Sequence, residues 1–84
     1  HFDFGIDLAA KPNVRVNLGA AAGDGGINEP YLYVGPWGPE RPGADDYWTA
    51  PFGATLTITE LNTSEDPLAR ATEFFLQGLS YLGE

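Results

Sequence analysis

The 84-residue chain carries twelve acidic residues against four basic ones, a formal charge of −8, and no cysteine. That charge repels phosphate backbones and argues against nucleic acid as a direct partner, while the missing thiols exclude disulfides, thiolate zinc, iron–sulfur ligation and cysteine nucleophiles. The length allows one small domain, residues 1–84, that buries only about 60 to 65% of the unfolded chain's surface, which leaves oligomerisation, a partner domain or an oxygen-ligated metal as sources of extra stability.

From Phe2 to Leu8, the apolar residues Phe2, Phe4, Ile6 and Leu8 alternate with Asp3, Gly5 and Asp7, the period of a strand with one buried face. Lys11-Pro12-Asn13 is turn chemistry, and Val14-Arg15-Val16-Asn17-Leu18 alternates again, so the two runs form an antiparallel hairpin with Val14, Val16 and Leu18 toward the core. Gly19 to Asn28, rich in glycine and alanine, reads as a loop. Tyr31-Leu32-Tyr33-Val34 is a third strand, apolar on both faces and therefore central, and Pro36 ends it.

Gly38 to Asp46 is a polar loop, and Tyr47-Trp48-Thr49 reads as a short strand broken by Pro51. Phe52, Ala54, Leu56 and Ile58 then alternate with Gly53, Thr55 and Thr57 as a further strand, after which Thr59-Glu60-Leu61 fits either strand or helical turn. From Asp66 the period becomes helical, with Asp66 as N-cap, Pro67 in the first turn, and Leu68, Ala71, Phe75, Leu79 and Leu82 as the packed stripe. Gly78 on the packed side permits close approach to a sheet, and Gly83 suits a left-handed helix end. The expected fold is α+β: an antiparallel meander sheet of four to five strands with one C-terminal amphipathic helix packed on one face. One helix leaves the other sheet face, with Tyr31 and Tyr33, for a second copy or another part of a parent protein.

Two constellations carry possible chemistry. His1 and Asp3 share a strand face, and with Asp24 and Glu29 from the glycine-rich loop they form a candidate oxygen-dominated metal site; the competing reading is a terminal histidine beside solvated acids. Tyr33, Trp37 and Trp48 form a candidate stacking surface for a small molecule or carbohydrate; against it stands the use of tryptophans flanked by Pro and Gly to plug a thin core. Gly23-Asp24-Gly25-Gly26 lacks the residues of a phosphate loop, Asp45-Asp46 too few ligands for calcium, and Asn62-Thr63-Ser64 is too short a match to a glycosylation acceptor to carry weight.

No apolar run approaches the roughly 20 residues needed to cross a bilayer, and no basic amphipathic face is present, so the sequence reads as soluble. It opens on His1 without a methionine, which reads as a piece of a longer protein.

The strings His1-Phe2-Asp3, Val16-Asn17-Leu18-Gly19-Ala20, Gly23-Asp24, Glu29-Pro30-Tyr31-Leu32-Tyr33-Val34-Gly35-Pro36-Trp37, Trp48-Thr49-Ala50-Pro51-Phe52-Gly53-Ala54 and Phe74-Phe75-Leu76-Gln77-Gly78 resemble the C-terminal part of an uncharacterised bacterial family, mainly actinobacterial. The resemblance implies a bacterial, cytoplasmic protein with a preceding segment, and brings no activity, cofactor or catalytic residue with it. From the residues themselves the expectation is a non-catalytic interaction or oligomerisation domain without a cofactor, partnered by itself or by the N-terminal region of its parent. A small-molecule or carbohydrate binder is the alternative, and a weak oxygen-ligated metal site the third reading.

Overall fold

The computed structural model describes residues 3–23 and 25–84. Strand β1 (Asp3–Lys11) turns at Pro12 and Asn13 into β2 (Val14–Ala21), followed by β3 (Tyr31–Pro36) and β4 (Ala54–Thr57). The four strands form one antiparallel sheet in the order β1-β2-β3-β4, a meander with β3 in an interior position as its two apolar faces predict. Helix α1 (Ile58–Asn62) and helix α2 (Pro67–Leu82) close the chain. The α+β class and the C-terminal helix agree with the sequence reading.

β2 runs three residues beyond the expected loop boundary, taking in Gly19, Ala20 and Ala21. Gly19 serves as space rather than flexibility: it pairs with Tyr33 on one side and Gly5 on the other, and the Tyr33 hydroxyl lies 2.7 Å from where a Gly19 Cβ would stand. The same hydroxyl would sit 2.5 Å from a Gly5 Cβ. Tyr33 therefore lies across two glycines of neighbouring strands, a close approach that only strand glycines permit. Tyr31, on the same face, is buried, packed near the rings of Tyr33 and Phe52 at 6.3 and 6.4 Å.

The core lies on the other face, where Val16, Leu18, Val34, Ala54 and Leu56 of the sheet meet Phe74 and Leu82 of α2. Asp66 caps α2 through a side-chain bond from Ala69 N at 3.2 Å, with Pro67 in the first turn, as the sequence predicts. The buried stripe, however, is Phe74, Gly78 and Leu82, while Leu68 is 78% exposed. The helix is turned so that Gly78 faces the sheet; a Cβ there would be 2.9 Å from Val34 Cγ1 and 2.5 Å from the Tyr47 hydroxyl. Leu68 stands outside that stripe. Gly83 ends the helix right-handed, at φ −85°, rather than in the expected left-handed conformation.

Tyr47, Trp48 and Thr49 form no strand. Tyr47 instead packs against α2, its hydroxyl donating to the Phe74 carbonyl at 2.6 Å and its ring 5.5 Å from both Phe74 and Tyr81. Phe52 precedes β4, in a tight turn bridged between Ala50 and Gly53. At the far end of β4 the alternation breaks at Ile58 because Thr57 and Glu60 make a reciprocal capping box that starts α1.

Two outcomes follow from this packing. In Gly78→Ala the helix gains about 1 kcal/mol of propensity, but overpacking against Val34 and Tyr47 costs about 1 to 3 kcal/mol; the urea midpoint is expected to fall, and a rise would show that the helix sits further from β3. Burial, opposed in part by backbone hydrogen bonding, pushes the Tyr47 phenol well above its ordinary value of 10.0. Its neutral form is favoured in the folded state, so this contribution is complete below about pH 10 and is lost as pH rises through the raised folded value. In an alkaline absorbance titration the phenolate signal of Tyr47, isolated by comparison with Tyr47→Phe, is expected only at higher pH or together with unfolding.

Candidate functional site

The structure divides the aromatic candidates between the two faces. Tyr33 and Trp37 share the face opposite α2, where the Trp37 indole N–H donates to Asn17 Oδ1 at 3.4 Å and the Arg15 guanidinium lies 5.6 Å from the ring centroid. Arg15 is also bonded to Asp7 Oδ2 at 2.6 Å, an exposed pair of small energetic value whose main effect is to fix the cation beneath the indole. Trp37 is 64% exposed. Trp48 does not join them: it packs against the helix-side core, 4.7 Å from the Tyr47 ring, and donates its indole N–H to Pro42 O at 2.8 Å. Of the expected trio, Tyr33 rests on its own glycines, Trp48 closes the core, and Trp37 alone stands out from the surface.

Among the proposed metal ligands, His1, Asp24 and the side chain of Asp3 lie outside the described residues. Glu29 is described, and its carboxylate accepts the backbone N–H of Thr59 at 2.9 Å, in the first turn of α1. Together with the bond from Ile58 N to Pro30 O at 2.8 Å, this ties the segment before β3 to the start of α1. Glu29 thus satisfies a helix-end donor. Hydrogen bonding from Thr59 holds its carboxyl below the ordinary 4.5. Among the described residues, no group of three or more His, Cys, Asp or Glu is gathered in a way that could hold a metal ion.

A surface that the sequence reading assigned to the core lies open. On the helix side, Phe4 is 64% and Ile6 53% exposed, although their register partners on β2 are Ala20 and the buried Leu18. The reason is width: four strands about 4.8 Å apart make a surface close to 19 Å across, and one helix covers about 10 Å of it. α2 packs on β3, β1 and β4, and just past its C-terminal end the Gly83 position comes close to the Ala10 carbonyl while Lys11 Nζ bonds the Glu84 carbonyl at 2.5 Å. A small apolar hollow lies at the α1 end of the sheet, lined by Ala20, Ala21, Leu32, Leu56, Ile58 and Leu61. The outer edge of β1, nine residues long, has no strand beside it among the described residues. The usable signal in the sequence was the mismatch between one helical stripe and four strands.

Because the folded-state pKa of Glu29 is depressed, its contribution to stability is present above about pH 4.5 and is lost as pH falls through the folded value. Glu29→Gln keeps an acceptor for Thr59 N but cannot be protonated in this range. Urea midpoints measured from about pH 6 to pH 3 should therefore fall less steeply for the variant; parallel curves would remove Glu29 from the acid response.

Compared with family models, curated proteins and solved structures, the chain matches none.

Proposed function

We propose that the chain is a non-catalytic interaction domain that docks a partner against the exposed Phe4 and Ile6 and along the outer edge of β1. One observation carries this reading: Phe4 and Ile6 stand exposed on the face of the sheet that elsewhere forms the core, on a nine-residue strand whose outer edge is unpaired among the described residues. Contiguous apolar surface of this kind marks protein contact sites, and an open strand edge supplies a row of unpaired N–H and C=O groups for a further strand. No helix among the described residues is long and apolar enough to cross a membrane. A second copy is disfavoured as the occupant by a charge of −8 on each chain, so the reading places a different partner there. The carbohydrate alternative retains Trp37 with Tyr33 and loses Trp48.

Panning a random peptide display library on the immobilised domain tests the proposal. Clones are expected that bind the wild-type chain and lose binding to a Phe4→Ser/Ile6→Ser variant shown by circular dichroism to be folded. Recovery only of clones indifferent to both residues would overturn it.

A further inference from the structure

We infer that the face of the sheet opposite α2 carries a binding site for a neutral saccharide, in the open hollow that Gly35 floors between Trp37, Tyr33 and Phe52, with Asn17 beside it. The hollow has a volume of about 420 Å³, within the range of small-ligand sites. It lies across the sheet from Phe4 and Ile6, so it stands independently of the partner proposed for them.

Gly35 is the residue that points to a ligand. Three strand glycines share this face: Gly5 and Gly19 under the Tyr33 hydroxyl, and Gly35 two residues along β3 from Tyr33, paired with Asn17. A Cβ at Gly5 or Gly19 would meet that hydroxyl at 2.5 or 2.7 Å, whereas one at Gly35 would meet nothing closer than 3.9 Å. A glycine inside a strand serves a bulge, a bend, a close approach of another backbone, or a ligand. The pairing of β3 with β2 runs in unbroken register through Gly35, and its φ is not in the left-handed region. Nothing among the described residues packs against it. The missing side chain therefore leaves open space between Tyr33 and Trp37, and a ligand is the use that remains.

The lining selects the class of ligand. In a chain of net charge −8, no charged side chain among the described residues lines the hollow, which suits an uncharged ligand. Trp37 is the wall between this hollow and a second one, and Arg15 lines only the second. The guanidinium over the ring thus leaves the side of the indole toward Gly35 open. An indole face attracts the slightly positive C–H groups of a pyranose ring. Sugar hydroxyls both donate and accept, as does the Asn17 carboxamide. A proline-rich segment, the other common occupant of an aromatic hollow, offers carbonyls that need a donor. The Trp37 N–H that would supply it is turned to Asn17 Oδ1 at 3.4 Å.

The test is a titration of the isotope-labelled chain with cellotetraose, chitotetraose, mannotetraose and maltotetraose, and separately with an acetylated and amidated polyproline peptide. Expected is that at least one tetrasaccharide shifts the Trp37 indole N–H and the amides of Asn17, Gly35 and Phe52, while the Trp48 indole N–H stays in place. Trp37→Ala should weaken that binding about tenfold. Gly35→Val fills the hollow at a position where its Cβ has room, so it should abolish binding while the urea midpoint holds or rises. No shift at Trp37 with any of the four sugars overturns the inference, as does binding that Gly35→Val leaves intact. Shifts at the same residues with the peptide alone assign the hollow to a proline-rich segment and overturn the saccharide.

Discussion

The contact between Gly78 of α2 and Val34 of β3 sets the position of everything on the helix side of the sheet. Because residue 78 has no side chain, the helix axis comes close enough for Phe74 and Leu82, a turn to either side, to meet the core formed by Val16, Leu18, Val34, Ala54 and Leu56. Tyr47 secures the same contact from the flank, its hydroxyl held by the Phe74 carbonyl and its ring between Phe74 and Tyr81. A core this small has little redundancy, since a domain of this length buries a modest fraction of its surface.

That placement has a geometric consequence. A helix seated over the middle of the sheet, with the Tyr47–Trp48 segment on one flank, leaves the other flank without cover. Phe4 and Ile6 are exposed for this reason, on the strand whose outer edge has no neighbour among the described residues. The opposite face solves the same shortage of covering structure differently. There the Tyr33 hydroxyl lies over Gly5 and Gly19, and Tyr31 is buried near Phe52, so the sheet covers part of that face with its own side chains. Phe4 and Ile6 thus stand exposed on the face that carries the helix, whereas the sequence reading looked for uncovered apolar surface on the face of Tyr31 and Tyr33.

Charge sharpens the distinction between the two ends of the molecule. The basic residues Lys11, Arg15 and Arg41 are bound to carbonyls, to Asp7 or over tryptophan rings at 5.6 and 5.8 Å. Glu60, Glu65 and Asp66 gather where α1 passes into α2, and α1 itself is held to the start of β3 through Glu29 and Pro30.

The sequence by itself determined the elements whose signals are local. The alternation in Val14 to Leu18 and in Tyr31 to Val34, the turn at Pro12-Asn13, and the Asp66-Pro67 start of α2 each depend on neighbours a few residues away, and each was legible. The tertiary structure decided whatever depends on contacts distant in sequence. Gly19 is a strand residue because of Tyr33, the buried stripe of α2 is centred on Gly78 because of Val34, and Tyr47 packs on Phe74 instead of forming a strand. The candidate site was the least legible part. Phe4 and Ile6 have the alternation of buried residues, and only the path of α2 across β3, fixed by packing between residues far apart in the chain, leaves them in solvent.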